Sequence, residues 1–220
     1  MRLLYLLVLF GINLTITFSQ NNYDYEIAKE YYSNGDLERA TEIFEKLFKK
    51  TKTKDIYSKY LDCLMKTQAY KRAEKTIKAY NSKKNLSNLN LDLGQLHLTM
   101  GDLDKAHKHF ELSIEAASSS DRKLANIASK FYKKRLYDYA LRAYLLCENK
   151  TNYQFQISNI YSQLGEVEKM YNQLISLLSN RPKYFQTIKN KLRISISDDP
   201  ENENNKTLKK IILKSIQKNR

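Results

Sequence analysis

Ala40 and Ala106 stand 66 positions apart, Ala73 lies midway between them, and Ala140 follows Ala106 by 34. Around these alanines the chain repeats itself. Asn34-Gly35-Asp36-Leu37-Glu38-Arg39-Ala40 resembles Met100-Gly101-Asp102-Leu103-Asp104-Lys105-Ala106, and the two strings are followed by Ile43-Phe44 and His109-Phe110. A period of 33 to 34 residues constrains the fold more than any other feature of the chain. A unit that short cannot bury its own apolar face, so three or more must stack.

Composition narrows the building material. Hydrophobic residues make up 42% of the 220 and charged residues 28%, a globular balance. Only 5 Gly and 2 Pro are present, too few for the tight turns of a sandwich or barrel. Long helices with short connections suit this supply, and 17 Tyr with 8 Phe give their core a large aromatic share.

The N-terminus reads as a targeting segment. Met1-Arg2 is a minimal positive start, and Leu3 to Phe18 is almost wholly apolar. Thr17-Phe18-Ser19 then approximates a small-x-small cleavage site, so Met1 to Ser19 is expected to be a secretory signal peptide. The rival reading is an uncleaved anchor, for which an apolar run of about 16 residues interrupted by Asn13 is short of the roughly 20 that span a bilayer. A formal charge of +14 permits acidic partners of several kinds. Export sets nucleic acid aside and leaves acidic protein, anionic lipid or glycan. Cys63 and Cys147 fall in different units, and stacked units touch only their neighbours, so two buried free thiols are expected.

The repeat resembles the tetratricopeptide repeat, whose pattern is W-x2-L-G-x2-Y, then A-x3-F, then P. The first unit supplies Ile27-Ala28, Tyr31, Ala40 and Phe44; the second Tyr60-Leu61, Leu64, Ala73 and Ile77. The third, the clearest, has Leu93-Gly94, His97, Ala106 and Phe110. Ile127-Ala128, Phe131, Ala140 and Tyr144 make the fourth, and Ile157-Ser158, Tyr161, Met170, Leu174 and Pro182 the fifth. Asp24, Tyr57, Asn90, Leu124 and Gln154 replace the leading Trp, while Leu61 and Met170 are oversized for their places. In its composition, and in a start ending Phe-Ser-Gln, the chain resembles exported tetratricopeptide proteins of Bacteroidota.

The resemblance implies an all-α fold, a right-handed superhelical solenoid of antiparallel helix pairs. Five pairs would occupy residues 21–182, with residues 183–220 a degenerate sixth pair or capping helices, unless the chain is the front of a longer array. The small residues Ala28, Gly94, Ala128 and Ser158 would admit close helix approach, and Gly35, Gly101 and Gly165 would take the turns, where a left-handed backbone suits glycine.

Function is expected to be binding, not catalysis. No H-E-x-x-H, C-x-x-C, G-x-G-x-x-G, P-loop or nucleophile elbow occurs, so neither a catalytic site, a cofactor nor a metal is called for. His97 is expected to be a core or hydrogen-bonded histidine, and His107 and His109, two apart on a helix, diverge. By the resemblance, first helices line an inner groove that takes a peptide or a helix. Its residues would be Tyr25, Lys29 and Tyr32; Ser58, Asp62 and Met65; Leu91, Gln95 and Leu98; Ala125, Ser129 and Tyr132; and Phe155, Asn159 and Ser162. Some family members clamp a peptide carboxylate with Lys, Asn and Arg; Lys29 is present, but Ser58, Asp62 and Gln95 do not complete such a clamp. Lysines cluster at Lys46 to Lys54, at Lys71 to Lys84 and along Lys206 to Arg220. They read either as a solvated face or as an attraction to anionic lipid or glycan.

Overall fold

The computed structural model describes residues 22–81 and 85–218; the expected signal peptide Met1 to Ser19, with Lys83 and Lys84, lies outside them. Among the described residues the chain is α-helical with short 3₁₀ turns and no strand. We number the helices α1 (22–33), α2 (Leu37–Lys50), α3 (Lys54–Lys66), α4 (Tyr70–Tyr80), α5 (Leu86–Thr99) and α6 (Leu103–Ala117). They continue as α7 (Asp121–Lys133), α8 (Tyr137–Leu145), α9 (Gln154–Gln163), α10 (Val167–Asn180), α11 (Phe185–Ser195) and α12 (Glu203–Lys218). The chain divides into two compact units, Met1–His109 and Phe110–Arg220.

One turn geometry closes the helix pairs. After α1, Gly35 takes φ +82°, its N–H donates to Tyr32 O, and the Asp36 N–H donates back to Tyr31 O at 2.9 Å. Those bonds satisfy carbonyls that the helix end leaves open. Asp36 then caps α2, its carboxylate accepting from the Arg39 N–H. Gly101 (φ +80°) and Gly165 (φ +75°) repeat the turn, with Asp102 donating to His97 O and Glu166 to Tyr161 O. Between them Gln68 (φ 57°) and Arg135 (φ 61°) hold the same left-handed place without being glycine. The five residues follow one another by 33, 33, 34 and 30, so the turn keeps the sequence period.

In the first unit, α2 packs on α3, α3 on α4 and α4 on α5. Ala28, Ala40, Leu64, Ala73 and Ile77 are fully buried there with Phe44, and Phe48, Tyr57, Tyr60 and Tyr80 gather into an aromatic group. Tyr57 and Tyr80 stack at 3.7 Å. A buried polar knot fastens the third helix to the fifth. The Tyr57 hydroxyl donates to Asp92 Oδ2 at 2.6 Å, and the amide of Asn81 donates to the same carboxylate at 3.2 Å.

In the second unit, α7 pairs with α8 and α9 with α10, and α8 packs on α9. Ala128, Ala140 and Ser158 are fully buried, with Phe110 edge-on to Phe131 at 5.6 Å. The oversized Met170 is accommodated at 2% exposure. Asp121, at the start of α7, accepts from the N–H groups of Glu148 and Asn149 at 2.8 and 2.9 Å, pinning the segment beyond α8. Cys63 and Cys147 are free, buried thiols, one in each unit. Beyond Pro182 the regular succession changes: α12 lays itself against α10, and Tyr171 of α10 donates to Ser195 at the end of α11.

Candidate functional site

The groove residues of the first unit fall on α1, α3 and α5. Tyr25 is half-buried, its ring edge-on to Phe44 at 6.1 Å. Lys29 pairs with Glu26 at 2.8 Å and lies 5.5 Å from the Tyr25 ring. Further along α1, Tyr32 is the centre of a bridge to α3. Its hydroxyl donates to Asp62 Oδ2 at 2.5 Å and accepts from Lys66 Nζ at 2.7 Å, while Lys66 also pairs with Asp62 at 2.9 Å. Lys59 Nζ stands 4.2 Å from the Tyr32 ring centre. The hydrogen bond to Asp62 pushes the Tyr32 phenol up, so it stays a neutral donor. Four side chains from two helices are therefore ordered before any partner arrives, and ordering in advance lowers the cost of binding.

Met65 is partly buried against the core of this unit, and Gln95 and Leu98 on α5 are half-buried. Leu91 is not available to a ligand: it is 2% exposed and belongs to the core. Its assignment to the groove is corrected for a physical reason. Leucines 86, 89, 93 and 96 share one side of α5 and leucines 91 and 98 the opposite side, so no single stripe marks the solvent side. The 91–95–98 row is instead buried at its start and opens only towards its end.

In the second unit Tyr132 is half-buried with its ring 5.5 Å from Tyr137. Phe155 and Asn159 are half-buried on α9, and the Phe155 carbonyl accepts from Ser158. These positions offer aromatic and amide surface; Ser162 is exposed.

Two features escape sequence reasoning. Lys59 and Lys66 belong with Tyr32 and Asp62, although each reads as an ordinary solvent-facing lysine. His97 and His109, twelve positions apart on α5 and α6, stack with ring centres 5.3 Å apart. His109 Nδ1 lies 2.9 Å from Asn90 Oδ1, and His97 Nδ1 is 3.9 Å from Asp102. Among the described residues no group of three or more His, Cys, Asp or Glu is placed to hold a metal ion. The basic clusters are partly spent within the fold: Lys49 and Arg72 pair with Glu45, and Lys78 with Glu74. No described helix is long and apolar enough to cross a membrane.

With this geometry in place, comparison with known proteins adds a match to one family. Residues 87–120 match the tetratricopeptide repeat model. That segment takes in nearly all of α5 and the whole of α6, the unit whose Leu93-Gly94, His97, Ala106 and Phe110 fit the pattern best. Among curated proteins, none matches. Solved structures give likenesses over most of the chain. The C-terminal part of a tetratricopeptide repeat-containing protein from Cytophaga hutchinsonii is 17% identical, with 89% of this chain and 80% of that chain covered and a TM-score of 0.38. The TPR2AB domain of yeast Sti1, in complex with pHSP90, is 11% identical, covering 92% and 99%, with a TM-score of 0.37. A thermophilic tetratricopeptide protein of Thermus thermophilus is 13% identical, covering 78% and 96%, with a TM-score of 0.35. The fold, helix pairs of the tetratricopeptide type, rests on the packing and on the matched repeat and not on these likenesses.

Proposed function

We propose that this chain is a non-catalytic protein–protein interaction scaffold of the cell envelope, exported by Met1 to Ser19. It holds a peptide or a helix against the first helices of its pairs. The observation that carries the reading is the Tyr32–Asp62–Lys66 bridge with Lys59 above the ring, an ordered aromatic and cationic patch spanning α1 and α3. Such a patch offers a ring face, a fixed hydroxyl and two ammonium groups to a ligand with apolar and acidic side chains. Tyr25, Lys29, Met65, Gln95 and Leu98 extend it, and Tyr132, Phe155 and Asn159 supply the corresponding faces of α7 and α9.

Affinity capture from native envelope, read by mass spectrometry, tests this with the tagged mature chain and its Tyr32→Ala plus Tyr132→Ala variant. Partners retained by wild type and lost by the variant support it. A partner set unmoved by both substitutions overturns it, and so does a mature chain recovered only from cytoplasm. Partners that leave at moderate salt regardless of the tyrosines would assign binding to the basic surface instead.

A further inference from the structure

A second surface lies in the second unit, where α10, α11 and α12 meet. Helices α11 and α12 wall a groove of about 690 Å³ whose floor is α10. Phe185 and Leu192 line one wall, and Leu208, Ile212 and Ile216 the other. Phe185 is 56% exposed, Ile212 37% and Ile216 51%, a run of apolar surface that a soluble face does not ordinarily leave open. The frame is fixed: the Tyr171 hydroxyl holds Ser195, and the side-chain amide of Asn205 donates to Ser197 O and Asp199 O, tying down the connection between the helices.

Charge identifies the occupant. Among the described residues, the charged side chains lining the groove are Lys189 and Arg193, and no carboxylate joins them. From residue 183 to 220 the sequence has ten cationic residues against four acidic ones, and those four sit between 198 and 203, outside the lining. A second copy would bring like charges together. A bilayer surface is flat where this site is concave, whereas a helix about 10 Å across is convex. We propose that the groove receives an amphipathic helix of a partner protein, with an apolar face for the floor and glutamate or aspartate along its flanks.

Fluorescence anisotropy with two synthetic probes tests this on the full mature chain. Both are helical peptides of about 16 residues, some four turns, with leucines on one face; one carries glutamates on its flanks and the other lysines. The glutamate peptide is expected to bind at least ~10-fold more tightly at low salt, the margin shrinking as salt rises. Ile212→Asp with Ile216→Asp should weaken it by a similar factor, and Lys189→Glu with Arg193→Glu should reverse the preference. Circular dichroism checks the folding of both double variants; should the aspartate pair fail to fold, the charge reversal decides alone. Equal affinity for both peptides, or binding that survives the groove substitutions, overturns the proposal. So does a dimer in light scattering that the aspartate pair dissolves, which would make the occupant a second copy. Co-sedimentation with phosphatidylglycerol vesicles that depends on Ile212 and Ile216, without peptide binding, overturns it in favour of a membrane.

Discussion

The Tyr57 hydroxyl donates to Asp92 Oδ2 at 2.6 Å, joining α3 directly to α5. Tyr57 is 6% exposed, and burial, followed by the Asp92 charge, pushes its phenol well above the ordinary value. The phenol therefore keeps its proton, and its place as donor, far into the alkaline range. Tyr57→Phe leaves the carboxylate with Asn81 alone and is expected to cost about 1.5–3 kcal/mol, the range for a hydrogen bond to a charged group. Urea denaturation followed by circular dichroism measures it; an unchanged midpoint would mean water replaces the hydroxyl at no cost.

Arg135 holds a left-handed turn, φ 61°, in the place that Gly101 and Gly165 fill elsewhere. A β-carbon there is strained, and removing it relieves roughly 1 kcal/mol. Arg135→Gly should therefore raise the thermal midpoint, and Gln68→Gly should do the same in the first unit. Gly35→Ala is the mirror experiment. Nothing lies within 4 Å of the added methyl, so the loss it causes comes from backbone strain and not from a clash.

His109 is held below its ordinary value of 6.5, first by burial and then by the charges of His97 and Lys108, with Lys78 adding to them and Glu74 opposing. Its neutral form is the native one. The stability it contributes is complete above pH 6.5 and is lost as the pH falls through the lower folded value. His109→Gln keeps a polar group opposite Asn90 and removes the titration. The difference in unfolding free energy between about pH 7.5 and about pH 5 should be smaller in the variant than in wild type. Equal differences would place the acid sensitivity elsewhere.

Ala106 is 2% exposed on α6. An arginine there has no room, and burying it unpaired is expected to cost more than about 3 kcal/mol. Loss of a single cooperative melting transition, seen by circular dichroism, is the expected result for Ala106→Arg. A melting curve like that of wild type would refute the repeat register.

How much of this is legible in the residues depends on whether a position carries a signal of its own. Alanine at 40, 73, 106 and 140 speaks plainly, because close helix contact is what demands a small side chain every 33 or 34 residues. Gly35, Gly101 and Gly165 mark their turns in the same direct way. Gln68 and Arg135 do not: long polar residues carry no preference for a left-handed backbone, and only their distance from the glycines points to them. Tyr32 and Asp62 are readable as groove residues, but Lys59 and Lys66 look like any solvated lysine until the ring and carboxylate are placed beside them. Leu91 misleads because α5 carries leucines on two opposite faces. In the last two helices the pattern shows amphipathic faces without saying which neighbour each chooses, and α12 chooses α10.

The buried thiols have a use of their own. Burial raises the Cys147 pKa to about 11 and pushes Cys63 up as well, so both are protonated, shielded and slow to react while the fold is closed. Cys63 lies in the first unit and Cys147 in the second. The native chain thus carries one chemical clock in each half, and the rate at which an alkylating reagent reaches each sulfur times the opening of that half without any label having to be added.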